Sequence, residues 1–350
     1  MQAFMNDSTL LIRKQENRIA WVDWAKGWTI LFVVMYHAFK SVHDANIFSQ
    51  HYQYLGEWAI FFLSTFIMPV FFALSGLVYK EISNWTEYKK NMLKRIVSLV
   101  IPYIIFSAAY VFMQNLSPGS SSHAVHSWSS LLYIFTTPIS YLWYIYTLVL
   151  IYLFCGVLDL CKVNISAQFG ISLVLFIIIS FIKVPTFLYL IFTWTVTFNL
   201  GRLLIKHQNL CQDKWVIISF IVMVVSWAIQ IQSGGKNWYD TNNLTLCTFF
   251  SKMTCIPVFF YIYSKLRENC LNNYFKKVGC DSLIVYLVHA PTVSVMRALF
   301  AKIGITNYLL MITSVILFSW LISIAACYLA KRITIIEFIF YPTRYIHLPK

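Results

Sequence analysis

A chain of 350 residues has the length of two or three soluble domains, but 59% of it is apolar, 18% aromatic and only 11% charged, where soluble domains carry about 25% charged residues. The charges are also lopsided: 27 Lys and Arg against 13 Asp and Glu leave a net charge of +14. These figures exclude a soluble enzyme and define an integral membrane protein.

A helix crossing a hydrocarbon core of about 30 Å needs about 20 apolar residues. Apolar runs of that character fall, in chain order, at Gly27 to Phe39 with a polar N-terminal extension, Trp58 to Tyr79, Ile96 to Leu116, Tyr141 to Leu158 and Phe169 to Ile182. They continue at Phe187 to Leu204, Trp215 to Ile231, Leu246 to Tyr263, Ser282 to Ala301 and Tyr308 to Ala330. The fold class predicted is an all-α polytopic bundle of about ten transmembrane helices.

The cations test this division independently, because loops rich in Lys and Arg stay on the cytoplasmic side. Alternate connections hold Arg13, Lys14, Arg18 and Lys26, then Lys80, Lys89, Lys90, Lys94 and Arg95, then Lys162, then Arg202, Lys206 and Lys214. The same side receives Lys265, Arg267, Lys276 and Lys277, and finally Lys331, Arg332, Arg344 and Lys350. The opposite loops hold only Lys40, Lys183, Lys236 and Lys302. Both termini are therefore expected in the cytoplasm, with residues 1–18 and 333–350 as tails flanking a membrane domain over 19–332. Topology and anionic lipid account for the excess positive charge, so no nucleic-acid partner is called for.

The first dozen residues are not expected to act as a cleavable leader, since a polar stretch follows Arg13 to Arg18 and no small-residue cleavage site is present. The connection Asn115 to Ser140 is uncharged and rich in Ser, and belongs to the outer side. The eight cysteines form no disulfide framework and no pair with zinc-ligand spacing. His123 and His126 stand three apart without a third ligand, so no metal is expected.

Polar groups inside the apolar runs need a reason. No carboxylate lies in the middle of a span, which counts against an ion-coupled transporter. The ionisable exceptions are His37, Lys252, His289 and Arg297. Lipid offers a histidine no partners, so His37 faces the bundle interior or a wet cavity. Lys26 precedes it by eleven residues, about 16 Å of helix and three turns plus about 20°, so the two share one face. A cation at the inner mouth and a proton-handling ring at depth suit an anionic cytosolic donor; the alternative is a histidine packed against a neighbouring helix. Asp23, one turn from Lys26, is placed to pair with it. Lys94 and Arg95 begin the third span, where topology alone would put cations, although an Arg also grips phosphate in a bidentate way. Tyr141, Trp143, Tyr144 and Tyr146 at a span mouth read as an interfacial aromatic belt, or as a sugar-stacking platform.

Several stretches resemble the acyltransferase 3 family of membrane O-acyltransferases. WVDWAKGWTILFVVMYHA, Trp21 to Ala38, with its Lys-x10-His spacing, is similar to that family's first helix, and MPVFFALSGLVY, Met68 to Tyr79, to its second-helix ending. KRIVSLVIPY, Lys94 to Tyr103, resembles its basic opening of the third helix; YLWYIYTLVLIY, Tyr141 to Tyr152, and VGCDSLIVYLVHAP, Val278 to Pro291, resemble two later motifs. The matches run in order across most of the chain, in the manner of the fucose 4-O-acetylase-like branch.

The resemblance implies a ten-helix core, multi-pass in a bacterial inner membrane, that moves an acetyl group from cytosolic acetyl-CoA to a hydroxyl of a surface polysaccharide or its lipid-linked precursor. It implies His37 as the catalytic histidine, Lys26 as the basic member of the motif and Arg95 as the cation near coenzyme A phosphates; the spacing adds Asp23 in support, and Lys94 stands beside Arg95 as a second cation. His289 matches a family histidine and joins Arg297 and Trp143 as a possible substrate channel. With the chain ending soon after the tenth run and no GxSxG present, a second transfer step at a hydrolase-like domain is not expected. The competing reading is a transporter or flippase for a lipid-linked sugar or small molecule, with Lys252 and Arg297 lining a cationic cavity.

Overall fold

In lipid every backbone N–H and C=O must find its partner within the segment, so long apolar runs form helices. The computed structural model, which describes residues 20–116, 126–207, 212–235 and 238–346, bears this out: the described residues are mostly helical and contain no strand. The helices are α1 (Ala20–Asp44), α2 (Gln50–Leu77), α3 (Trp85–Leu116), α4 (Trp143–Leu160), α5 (Ile165–Phe181) and α6 (Thr186–Lys206), followed by α7 (Asp213–Ser233), α8 (Phe249–Lys265), α9 (Cys270–Cys280), α10 (Ser282–Ile303), α11 (Tyr308–Leu329) and α12 (Thr334–Phe340). The protein is an all-α polytopic membrane protein. Each of the ten apolar runs overlaps one helix. Arg13, Lys14, Arg18, His123, Cys211, Lys236 and Lys350 lie outside the described residues, as do both chain ends.

Among the described residues, seven helices are long and apolar enough to cross a membrane: α2, α3, α4 with the turn before it, α6, α7, α10 and α11. The 17-residue α5 is apolar but shorter. α1 and α8 are not among the seven. α1 carries Asp23, Lys26 and Lys40, while α8 has 17 residues and carries Lys252. α1 lies at the centre, against α2, α8, α9, α10 and α11. The most apolar stretch of α2 is 89% buried and that of α7 only 17%, so α2 belongs to the core and α7 presents its side chains to lipid.

Two helices escaped a search for long apolar runs. α9 is short and amphipathic: Phe275, Val278 and Gly279 turn inward, and Asn269 caps it by accepting from the Asn272 backbone N–H at 2.7 Å. It clamps the first half of α1. Trp28 stacks on Phe275 at 3.9 Å, and its indole donates to Asn272 Oδ1 at 3.0 Å. The two backbones touch because both contacts are glycines. A Cβ on Gly27 would meet the Phe275 carbonyl oxygen at 2.0 Å, and one on Gly279 the Asp23 carbonyl oxygen at 1.7 Å. α12 follows α11, and Asp281 ties the two ends together, accepting from Lys331 and, at 2.7 Å, from the Tyr341 hydroxyl.

The bundle therefore has a basic end, where α1 begins, and a far end, where it finishes. The described part of the Asn115 to Ser140 connection packs onto the far end: its Ile134 and Phe135 carbonyls accept from the Tyr103 and Tyr146 hydroxyls at 2.5 and 2.7 Å.

Candidate active site

α1 and α10 bring two histidines together. The His37 and His289 rings stand 4.9 Å apart between centroids, inclined at 60°. His289 is fully buried, and its Nδ1 faces two carbonyls of its own helix, Tyr286 at 2.6 Å and Val285 at 3.2 Å. A carbonyl only accepts, so Nδ1 carries the proton and Nε2 of the neutral ring holds a lone pair. That Nε2 has no hydrogen-bond partner among the described residues. A buried acceptor without a partner is uncommon and marks this ring out.

Pro291, two residues beyond His289, explains the tyrosines around it. A helix proline has no N–H for the carbonyl four residues earlier, here Leu287. The Tyr141 hydroxyl donates to that carbonyl at 2.8 Å, and the Tyr286 hydroxyl donates to the Tyr141 carbonyl. Tyr141, Tyr144 and Tyr146 are all buried and bonded within the protein. They are core residues, which corrects the reading of an interfacial belt. Trp143 packs on Trp194 and Phe72, at 5.3 and 6.0 Å.

His37 is half-buried and lines a small cavity of about 40 Å³ with Lys40, Ser41, Tyr110, Tyr141 and Ser294. This is room for a few water-sized groups. It lies toward the far end, since His37 stands in the second half of α1. Behind its wall the Arg297 guanidinium donates to Ser41 Oγ at 3.1 Å. Next along α1, Lys40 pairs with Asp44 at 2.6 Å and His43 stands 3.6 Å from Glu57. Lys252 is fully buried, and its ammonium donates to the Ser64 carbonyl at 2.7 Å.

At the basic end, Asp23 is buried and Lys26 half-buried on the stripe of α1 that carries His37. Lys94 and Arg95, adjacent in sequence, diverge. Lys94 is exposed, whereas the Arg95 guanidinium turns inward to lie 3.6 Å above the Tyr152 ring and 5.6 Å from that of Tyr79. Tyr79 also borders a charge network that sequence reasoning missed. Its hydroxyl donates to Asp159 at 2.7 Å; Arg202, whose guanidinium lies 4.6 Å from the Tyr79 ring, pairs with the same carboxylate at 2.9 Å; and Gln168 bridges Arg202 and Asp159 at 2.6 and 2.7 Å. All four polar side chains are satisfied, as buried charges must be.

A cavity of about 830 Å³ also opens at the basic end, between Trp21, Tyr261, Ser264, Lys214 and Lys265. Trp21 and His37 are sixteen residues apart, four turns plus about 160°. They therefore face opposite sides of α1, and this cavity is not on the His37 stripe.

A many-helix bundle with seven membrane-length apolar helices among its described residues defines the class as a polytopic helical membrane protein. Residues 19–325 match the family model described as an acyltransferase domain, and the chain belongs to the acyltransferase 3 family. It is a membrane acyltransferase. No curated protein and no solved structure matches it.

Proposed function

We propose that the protein is an O-acetyltransferase of the fucose 4-O-acetylase-like branch. It moves an acetyl group from acetyl-CoA, bound at a cytoplasmic basic end, to a hydroxyl of a surface polysaccharide or its lipid-linked precursor at the far end, in a bacterial inner membrane. The observation that carries this reading is the unpartnered Nε2 of His289 beside the His37 ring at a cavity wall.

In this mechanism the acceptor hydroxyl gives its proton to His37 as its oxygen attacks the thioester carbonyl, which is worth typically 10² to 10⁴ in rate. The other nitrogen of His37 donates to His289 Nε2, which holds the ring in the required tautomer. The carbon–sulfur bond breaks, and the departing thiolate takes the proton back, leaving an ester and free coenzyme A. Lys26 and the inward-turned Arg95 receive the coenzyme A phosphates, with Lys94 contributing charge from the surface; Asp23 supports Lys26.

The carrier reading relied on Lys252 and Arg297 as the lining of a cationic cavity. Both have protein partners, Ser64 and Ser41, which weakens that one of its supports. The deciding experiment offers [¹⁴C]acetyl-CoA and cell-surface glycan to purified protein in vesicles. Label moves to glycan with the wild type and stays on coenzyme A with inserted His37→Ala protein. Equal transfer by both proteins defeats the reading.

A further inference from the structure

Between α3 and α10, in the far half of the bundle, lies a second cavity of about 380 Å³, lined by Tyr110, Met113, Leu116, Val295, Ala298 and Lys302 among others. That volume is within the range of ligand sites, about 300 to 1,000 Å³. Two features set it apart from an ordinary gap between helices. Tyr110 and Ser294 line both this cavity and the one that holds His37, so the two meet along a shared wall. Its remaining rim is made of residues that face outward from the bundle: Met113, Leu116, Val295 and Leu299 are 37 to 66% exposed. In a membrane protein such side chains look onto acyl chains. Tyr110 and Ser294 therefore stand between this lipid-facing groove and the cavity that His37 lines.

Its charge is equally uneven. Among the described residues the one formally charged group in the lining is Lys302, exposed in the last turn of α10 at the far surface, and the others there are apolar or neutral. An apolar slot that ends in a cation at the membrane surface complements a molecule with a hydrocarbon chain and a negatively charged linkage.

We infer that this groove holds the hydrocarbon chain of a lipid-borne acceptor, with Lys302 facing the phosphate that joins chain to sugar, so that the acceptor hydroxyl reaches His37 sideways from the bilayer. The inference rests on the proposed acetyl transfer and narrows its acceptor to a glycolipid. A free polysaccharide would have no use for an apolar slot. Ala298, whose small side chain leaves the slot open, sets its width, and Lys302 sets which linkage is preferred.

The test uses the full chain in nanodiscs, [¹⁴C]acetyl-CoA, and methyl and dodecyl glycosides of a panel of common hexoses. A dodecyl chain partitions into the disc and lowers KM by itself, so the comparison between variants decides. Ala298→Trp, which fills the slot, is expected to raise KM for the dodecyl glycoside at least fivefold while leaving the methyl glycoside's kcat and KM unchanged. Lys302→Glu is expected to weaken, by a similar factor, competition by dodecyl phosphate but not by dodecanol. If Ala298→Trp alters both glycosides alike, or neither, the groove assignment is overturned while the acetyltransferase reading stands. If the wild type acetylates no glycoside of either length, that reading and the groove assignment fall together.

Discussion

His37 and His289 come from helices at opposite ends of the sequence, yet their rings stand 4.9 Å apart, one half-buried at a cavity wall and the other fully enclosed. The enclosed ring has its Nδ1 proton occupied by backbone carbonyls, so whatever it does for its neighbour it does as an acceptor through Nε2.

If His289 orients His37, His289→Ala lowers kcat for acetyl transfer about 10- to 100-fold with little change in KM for acetyl-CoA, while His37→Ala removes 10² to 10⁴. Steady-state kinetics on both variants, with insertion verified, measure this. Unchanged kcat in His289→Ala shows the pairing to be packing alone.

The stripe argument separates two sets of cations at the basic end. Lys26→Ala is expected to raise KM for acetyl-CoA about tenfold, the loss of a contact worth about 1.4 kcal/mol. Lys214→Ala and Lys265→Ala, on the wall of the large cavity across α1, leave it unchanged. The opposite pattern moves the donor site to that cavity.

Arg202 and Asp159 form a buried pair with Gln168 and Tyr79 at hydrogen-bond distance. Removing one member strands the other charge, at a cost of about 3 to 5 kcal/mol. Arg202→Met is therefore expected to lower the melting temperature of the detergent-solubilised protein substantially, and more than Arg95→Met does. Among the described residues no carboxylate pairs with Arg95, which is instead expected to affect donor binding. Comparable melting curves would refute this ranking.

Gly279→Val wedges a side chain into the Asp23 carbonyl and pushes α9 off α1. The expected cost is about 1 to 3 kcal/mol, visible as earlier proteolysis within α9. A melting curve and cleavage pattern like those of the wild type would mean that the clamp yields without loss.

What could be foreseen follows from the range of each interaction. The helices and the Lys26–His37 stripe were legible because hydropathy, charge alternation and the helical repeat are local properties. The partnership of His37 with His289 was not, since nothing in either stretch specifies the crossing of α1 and α10. Arg202 passed as one more topological cation because Asp159 sits at a helix end, where a carboxylate raises no alarm; Asn199 one turn before Arg202 was the available hint. α9 failed a test for apolar length that suits only spans. Its signature was the spacing of Phe275, Val278 and Gly279 after Asn269, the mark of a helix lying on a surface. Tyr141, Tyr144 and Tyr146 proved to be core because an aromatic cluster at a span mouth looks the same in sequence whether it faces lipid or protein.

Pro291 leaves α10 with a joint between the turn bearing His289 and the turns that line the lipid-facing groove, and a single phenol keeps that joint shut. Tyr141 is thus a latch: Tyr141→Phe would strand the Leu287 carbonyl at about 1 to 3 kcal/mol and let the two halves of the helix swivel independently. That substitution is therefore expected to change the aim of the imidazole and the width of the slot together.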